Sequence, residues 1–456
     1  MTPPLNTLPR DAYSSKNQDR KAILLAIVTA LVITIFQIQL ANFIFTDIQD
    51  FWQSGSPSYG IIAHSITEKG IFSLDQITPT AYRPPLYPLF LAAFLSFTNN
   101  PEPIIVAQSI FAGLTFALLT LLTYRFTKKS WPTLVIIFLF ALGIFIPLDN
   151  VVQHETVLFT FLLTLGGYIF TSEMEAHTTT KVLALGFVLG LSCLVRPLAP
   201  AVLLASGIWF LWLLKTHKSK ILVAKRLALF LLTFLLTLVP WGIRNWQALG
   251  TFSLSTTTSG INLWKGNNPA TKDIYPTLEI DLFTPLLTEI PSESGWWDSL
   301  KNVPTMSEVE QNEYLFSLGM QYIQERPFHF LKMGLTKSWA LWTPQNVPLA
   351  TGVIKWTPSG AIISDIVPYY DNIIATLILY LFLLPGLWKQ RRSPFVWYLV
   401  AWSIALTAIH FITFAESRFR WPLNMLMLPI AAAGFEHVSS KTYYFFKKLI
   451  IKWQKN

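Results

Sequence analysis

The chain has 456 residues, of which 52% are hydrophobic and only 13% are charged, and its mean hydropathy is +0.45. This composition excludes an ordinary soluble globular domain. The net charge of +9 does not indicate nucleic acid as a partner, because the excess lysine and arginine lies beside apolar runs, where it faces anionic lipid headgroups.

Apolar runs long enough to cross a bilayer core as helices follow one another along the chain. Ten spans are predicted, at residues 22–45, 103–124, 132–148, 155–172, 182–195, 198–214, 226–243, 371–388, 394–413 and 421–437. The first follows a polar, basic tail and lacks an A-x-A cleavage site, which predicts a retained signal anchor. A shorter run at 84–97 predicts an interfacial or re-entrant helix on the outer face. The predicted fold class is an all-α polytopic membrane protein with about ten transmembrane helices, an outer-face juxtamembrane helix and an extracytoplasmic α-rich cap.

The distribution of lysine and arginine predicts the orientation of these spans. Under the positive-inside rule both termini are cytoplasmic. The basic residues assigned to the cytoplasmic side lie at 10–21, 125–129, 181, 215–226, 389–392 and in the C-terminal tail. The short outer loops are nearly bare of basic residues, and outside the long segment 244–370 the exceptions are Lys69, Arg83, Arg196, Arg418 and Arg420. A basic residue on the disfavoured side indicates another task, such as binding an anion.

The predicted organisation has five segments. They are a cytoplasmic tail (1–21), a transmembrane module (22–243) that includes an outer loop at 46–102, an extracytoplasmic loop or cap (244–370), C-terminal transmembrane helices (371–437) and a basic cytoplasmic tail (438–456). An amphipathic stretch at 308–323 and tryptophan-rich patches predict that the cap lies on the membrane. The single cysteine, Cys193, lies inside an apolar run, so the sequence contains neither a disulfide framework nor a cysteine metal site.

Acidic residues stand out at two predicted outer turns. Asp47 and Asp50 follow the first span directly. They form either a solvated acidic loop or a carboxylate held at the membrane surface for chemistry. His154 and Glu155 close the next outer turn, where Glu155 begins a span. A helix N-terminus favours a carboxylate electrostatically, so Glu155 is either a helix cap or a functional group.

The outer basic residues are candidates for binding an anion. Arg83 precedes two prolines that fix it relative to the headgroup plane; it either anchors a lipid phosphate together with nearby tyrosines or binds a ligand. Arg418 and Arg420 stand two apart directly before the last span. A guanidinium matches phosphate oxygens in bidentate geometry and keeps its proton, although Arg418 alternatively pairs with Glu416 at the surface. Lys265, in a predicted turn, is a further candidate phosphate contact.

Several motifs are spread along most of the chain, and the order in which they follow one another is informative. They are residues 59–63 followed by Gly70, YRPPLYPLFLAAF at 82–94, HET at 154–156, GLSCLVRP at 190–197, PWGIRNWQALG at 240–250, SGINLWKGNNPAT at 259–271 and SRFRWPLNMLMLP at 417–429. In this order they resemble the integral-membrane glycosyltransferases of the GT-C class, specifically the bacterial branch related to protein O-mannosyltransferases and aminoarabinose transferases (glycosyltransferase family 39-like).

The resemblance implies a polyprenyl-phosphate-linked sugar as donor and transfer on the outer face of a bacterial inner (plasma) membrane. It also implies an acidic residue of the first outer loop as catalytic base or its organiser. In such proteins an Asp usually stands four or five residues before the tyrosine matched by Tyr59, where this chain has Ser54 and Gly55. Either Asp50 or Asp47 takes the role, or the catalytic carboxylate has been lost.

Applied to this chain, the resemblance predicts a site of ten residues. The catalytic residues are Asp50, Asp47 and Glu155; the residues that bind the donor phosphate are Arg418, Arg420, Arg83 and Lys265; the residues that orient acceptor or sugar are Tyr59, Tyr87 and His154. No cofactor is required, because arginines can supply the charge that stabilises a departing phosphate, and the role of a divalent metal stays open. The expected partners are the bilayer, the polyprenyl-phosphate sugar and an acceptor that is a lipid, a glycan or a protein.

Two other functions fit the same sequence features. A lipid-linked sugar flippase would use the same basic outer loops without a carboxylate near the donor. A polysaccharide polymerase or ligase would use outer arginines on a diphosphate-linked donor and would transfer chains. A transporter for a small solute has less support, because ionisable residues deep within a predicted span are limited to His410 and the questionable Arg196, which lies between two predicted spans. His410 on an apolar helix is typical of a packed core residue.

Overall fold

A computed structural model describes residues 10–45, 47–129, 131–132, 152–176, 179–216, 219–268, 303–343 and 373–453. The α-helices in these residues are α1 (Arg10–Ile44), α2 (Ser58–Lys69), α3 (Leu86–Leu95), α4 (Glu102–Thr127), α5 (Thr156–Ala176), α6 (Thr179–Cys193), α7 (Ala199–Thr216), α8 (Lys220–Leu249), α9 (Ser259–Gly266), α10 (Glu308–Glu325), α11 (Pro327–Trp342), α12 (Ile373–Lys389), α13 (Pro394–Ile412) and α14 (Trp421–Trp453). Within the same residues, β-structure is confined to one isolated bridge between Ser73 and Pro79. The all-α prediction is confirmed for this part of the chain.

Four of the described helices are long and apolar enough to cross a membrane. They are α4, α8, α13 and the part of α1 from Asp19. These helices coincide with the predicted spans 103–124, 226–243, 394–413 and 22–45. The shorter apolar helices are α3, α6 and parts of α5, α7 and α12. The predicted span 132–148 lies outside the described residues except for its first, so the count of ten spans stays a prediction.

The first half of α14 is the centre of the helical bundle. Every residue from 421 to 434 is buried, and this segment packs against α4, α5, α12 and α13. Gly386 on α12 faces the backbone of Ile430, and Gly434 on α14 faces the backbone of Phe382. A Cβ atom at either glycine would collide with the facing carbonyl, so the two helices cross at backbone contact, as small residues allow inside membranes.

A second close crossing joins α6 to α8. A Cβ atom at Gly186 would meet the backbone of Phe230 and the hydroxyl of Thr233, and one at Gly190 would meet Thr237. The spacing of these two glycines indicates helix packing rather than dimerisation, and the structure shows that intramolecular contact. The chain turns sharply between Cys193 and Ala199, which places Arg196 at the end of the bundle.

The two ends of the bundle carry different side-chain clusters. At one end the Glu436 carboxylate lies 2.5 Å from the Lys129 amine through one oxygen and 2.5 Å from the Lys389 amine through the other. The contact joins the end of α12 and the segment after α4 to α14. Its two lysines belong to the predicted cytoplasmic side, and Glu436 lies near the end of the predicted span 421–437. At a rise of 1.5 Å per residue, the fifteen steps from Trp421 to Glu436 separate this cluster from the other end by about 22 Å.

The segment from α9 to α11 packs against the outer loop 46–102. Glu308, the first residue of α10, accepts hydrogen bonds from the Thr80 hydroxyl, the Ala81 amide (2.9 Å) and the Thr257 hydroxyl. Ser307 and Glu310 form a capping box at the start of the same helix. The helix predicted near 308–323 is therefore present, and it is tied to the loop that carries Arg83. Residues 269–302 and 344–372, which the cap prediction includes, lie outside the described residues.

Helix α11 has an apolar surface on two sides. Its inner side packs against α13, with Gly334 against the ring of Phe411. Its outer side exposes an apolar stripe at helical spacing, made of Phe328, Leu331, Leu335 and Trp339. A helix of 16 residues is about 24 Å long and too short to cross a bilayer core, so the stripe suits a helix that lies against lipid.

Candidate active site

Glu155 is held in place by the first outer loop. The Ser56 amide donates to the Gln153 carbonyl (2.9 Å), and the Gln153 amide donates to the Ser54 hydroxyl (3.2 Å). Gly55 between them has φ +63°, and a Cβ atom there would collide with the backbone of Gln153. The residues that stand where the resemblance leads one to expect an Asp are therefore a structural clamp on the turn that leads to Glu155.

The Glu155 carboxylate lies at the centre of a buried polar cluster. Arg196 donates from Nε to Glu155 Oε1 (2.9 Å) and from Nη2 to the Thr156 hydroxyl (2.6 Å). The Nδ1 atom of His154 lies 3.3 Å from Glu155 Oε2. Burial by itself would raise the pKa of the Glu155 carboxyl, but the charges of His154, Arg196 and Arg83 outweigh burial and lower the pKa to about 2. Glu155 is therefore a stable anion that orients the groups around it.

The predicted residues Tyr59, Tyr87 and Arg83 join this cluster. The Tyr59 hydroxyl hydrogen-bonds the Glu155 carboxylate, and its ring meets the Tyr87 ring edge-on at 5.1 Å. The Arg83 guanidinium lies 4.8 Å from the centre of the Tyr59 ring. Burial, followed by the charge of Glu155, raises the pKa of both tyrosines. Both phenols therefore keep their protons and serve as hydrogen-bond donors.

Two of the remaining predicted basic residues lie between α13 and α14, whereas Lys265 lies in the last turn of helix α9 and not in the predicted turn. Arg418 forms an ion pair with Glu416, which was the alternative interpretation of its role, and its guanidinium lies 5.5 Å from the centre of the Phe419 ring. Arg420 is completely buried and donates from Nη1 to the Leu341 carbonyl (2.9 Å). Lys265 is buried with its amine 5.3 Å from the Phe414 ring. The structure thus gathers all three cations at one end of the bundle.

The two candidate bases of the first loop sit apart from these contacts. Asp47 is exposed, and its carboxylate accepts the Gln49 amide at 2.9 Å as the cap of a short 3-10 helix. Asp50 lies in the first turn of that helix and is partly exposed. Among the described contacts, none joins either carboxylate to Glu155. No group of three or more His, Cys, Asp or Glu residues in the described part of the chain is arranged to hold a metal ion.

The sequence-based site omitted residues that the structure places at its centre. Arg196 was recognised as a basic residue on the disfavoured side, but no signal in the sequence paired it with Glu155. Arg196 is only 7% exposed. Its Nη1 atom is buried and has no hydrogen-bond partner among the described residues. Lys337 was missed completely. Its completely buried amine donates to the carbonyls of Thr413 (2.7 Å), Gly266 (3.2 Å) and Ile412 (3.3 Å).

Comparisons with known proteins name no family for this chain. No family model matches the sequence, and no curated protein matches it. The crystal structure of ArnT from Cupriavidus metallidurans bound to undecaprenyl phosphate aligns with 90% of this chain and 77% of the ArnT chain, at 11% sequence identity and a TM-score of 0.38. A similarity at this level does not assign the chain to the family of that protein.

Proposed function

We propose that the protein transfers a sugar from a polyprenyl-phosphate donor to an acceptor, at the end of the bundle that holds Glu155 and Arg196. The observation that carries the proposal is the Nη1 atom of Arg196. A buried guanidinium N–H without an acceptor is costly, and an anionic ligand oxygen would satisfy it. The charge of Arg83 also acts on the same carboxylate, so the site holds a second guanidinium near the first.

The surface beside this end suits a ligand with a long hydrocarbon chain. An open groove of about 710 Å³ runs between α11 and α13 and is lined mainly by apolar side chains, among them Phe330, Trp342, Phe411 and Ile412. The groove reaches Ile412, the last residue of α13, whose carbonyl accepts from the buried Lys337 amine. The next residues of the chain lead to Arg418. A lipid phosphate can place its chain in such a groove and its anion among the cations.

The proposed reaction is a displacement at the anomeric carbon of the donor sugar. The acceptor oxygen or nitrogen forms a bond to that carbon, the bond from the carbon to the phosphate oxygen breaks, and its electron pair leaves with the phosphate. Arg83, Arg418 and Arg420 stabilise the charge that the phosphate gains, and one such donor contributes on the order of 3 kcal/mol. Glu155, Tyr59 and His154 orient the acceptor or sugar. The base that takes the acceptor proton is, in the sequence-based hypothesis, Asp50 or Asp47.

The test follows radiolabelled undecaprenyl-phosphate sugars in membranes with and without the protein. Wild-type membranes should consume the donor, and Arg418→Gln should slow consumption by about 10²-fold. Arg391→Gln is the matched control, because Arg391 is exposed and lies at the other end of the bundle, where it donates to the Trp388 carbonyl. Movement of the intact lipid-sugar without cleavage would instead make the protein a flippase, and an unchanged rate in Arg418→Gln would remove Arg418 from the phosphate site.

A further inference from the structure

A proton acceptor for the proposed transfer needs a lone pair that no other group occupies. The oxygens of Glu155 already contact Arg196, His154 and Tyr59, so this carboxylate is committed to the buried cluster. Asp47 uses its carboxylate to cap its own loop.

His410, near the end of α13, has a lone pair that no other described group engages. Its ring stacks on Phe419, with the ring centres 4.6 Å apart and the planes 8° apart. Its Nδ1 atom lies 2.6 Å from the Phe414 carbonyl oxygen. A carbonyl can only accept, so Nδ1 carries the hydrogen and the lone pair of the neutral ring is on Nε2. This is the arrangement in which a carbonyl orients a histidine for proton transfer to its other nitrogen.

The Nε2 atom of His410 faces the protein interior. The side chain is 6% exposed, and Nε2 has no hydrogen-bond partner among the described residues. The charges of Arg196 and Lys337 both act on this ring, so His410 lies near both cations. Two buried polar atoms from different elements, His410 Nε2 and Arg196 Nη1, are thus left without partners at the same end of the bundle, one able to accept a proton and the other able to donate a hydrogen bond.

We propose that His410 is the general base of the sugar transfer, an inference that rests on the proposed function. Nε2 takes the proton from the acceptor hydroxyl or amine as that atom bonds to the anomeric carbon. The electron pair of the broken carbon–oxygen bond leaves on the donor phosphate, and Arg196 Nη1 donates to an oxygen of that phosphate. The imidazolium that forms keeps its Nδ1–H on the Phe414 carbonyl. This assignment accounts for a chain in which Ser54 and Gly55 replace the expected first-loop acid.

The test compares His410→Gln with wild type in membranes that contain the native acceptor, using radiolabelled undecaprenyl-phosphate sugar as the probe. We expect the single-turnover rate of donor consumption to fall by about 10²–10⁴-fold, the usual contribution of a positioned base. Binding of labelled undecaprenyl phosphate should change less than threefold, because His410 contacts the acceptor proton and not the phosphate. His437→Gln, at the far end of the bundle on α14, is the matched control and should keep the wild-type rate.

A second variant separates a chemical role from a structural one. His410→Ala removes the ring, and added imidazole should restore part of the lost rate if proton transfer is the missing step. The proposal is overturned if His410→Gln, with the thermal stability of wild type, transfers within threefold of the wild-type rate. It is also overturned if imidazole leaves His410→Ala inactive while Asp47→Asn/Asp50→Asn abolishes transfer, since the base is then in the first loop. In both cases wild type still consumes the donor and the proposed function stands; a wild type that leaves the donor intact rejects both.

Discussion

At the scale of single residues, Glu155 and Arg196 form a buried ion pair whose two members depend on each other. Removing one partner of such a pair leaves an uncompensated buried charge and costs about 3–5 kcal/mol. We therefore expect Glu155→Gln to lower the free energy of unfolding by that amount, measured by denaturant titration in detergent. The double variant Glu155→Gln/Arg196→Gln should lose less than the sum of the two single losses, and additive losses would show that the pair is not coupled.

The same pair predicts how stability depends on acid. The Glu155 carboxyl has a pKa of about 2 in the folded chain, against 4.5 in the unfolded chain. Between these values the unfolded chain binds more protons, so this contribution is present above pH 4.5 and is lost as the pH falls through 2. A difference of this size between the pKa values of the folded and the unfolded chain corresponds to about 3 kcal/mol in the free energy of unfolding.

The buried amine of Lys337 predicts that the stability of the fold depends on pH in the alkaline range. Burial lowers the pKa of its amine from 10.5 to about 7. Between these values the unfolded chain binds the additional proton, so stability should rise by about 1.4 kcal/mol per pH unit from pH 7 to pH 10. The measurement is the unfolding midpoint of wild type and Lys337→Met across this range. The slope should disappear in Lys337→Met and persist in Lys332→Met, whose lysine is exposed on the same helix; equal slopes in all three proteins would contradict the prediction.

At the scale of the elements, the exposed apolar surface of α11 predicts that this helix contacts the bilayer. Its exposed stripe of Phe328, Leu331, Leu335 and Trp339 is large enough to require a covering surface, and a membrane supplies one for a helix beside the candidate span α13. A spin label at Leu335→Cys should be reached more readily by oxygen, which concentrates in lipid, than by a water-soluble nickel chelate. Cys193 is the single cysteine and is buried, so the introduced residue reports alone.

The control for this prediction is Glu313→Cys on α10, an exposed position on a polar surface. There the nickel chelate should be the better quencher, because the label faces water. Equal accessibility of the two labels to the chelate would show that α11 lies in solution, and the stripe would then need a protein partner.

The helices and the candidate site differ in how far the sequence could anticipate them. The long apolar runs predicted α1, α4, α8 and α13, because hydrophobic length alone decides whether a helix can cross a bilayer. Tyr59, Arg83 and Glu155 were chosen from separate motifs and do meet. The partner of Glu155 could not be predicted, because Arg196 lies 41 positions away and only the packing of α5 against α6 joins them.

Other parts of the site needed the tertiary structure for a different reason. Ser54 and Gly55 look like a lost catalytic acid in the sequence, yet the backbone of Gln153 passes so close to Gly55 that a side chain there would collide with it. Lys337 has no acidic neighbour one turn away that would mark it, and its partners are carbonyls at the ends of two other helices. Backbone carbonyls leave no signal in a sequence, so a buried lysine of this kind cannot be told from a solvated one.

At the scale of the whole molecule, the bundle has chemically different ends. One end holds Glu155, Arg196 and the cations before α14, and the other holds Glu436 between Lys129 and Lys389. The charge pattern of the sequence assigned these groups to opposite sides of the membrane, and the structure separates them along α14. In the proposed transfer, a lipid-linked donor enters the first end from the bilayer along α13, and the acceptor enters it from the predicted outer side.

This separation predicts the orientation of the chain in the membrane. Ile77 is 77% exposed in the outer loop 46–102, and Lys441 is exposed beyond Glu436 on α14. Because lysine and arginine are retained on the cytoplasmic side, a membrane-impermeant maleimide should label Ile77→Cys in right-side-out vesicles and Lys441→Cys only in inside-out vesicles. The wild type, with Cys193 buried, should stay unlabelled in both. The reverse pattern would put Glu155 and Arg196 on the cytoplasmic face and exclude transfer at the outer one. Labelling of both variants from the same side would mean that the chain crosses the membrane an even number of times between residues 77 and 441, whereas the predicted spans give an odd number.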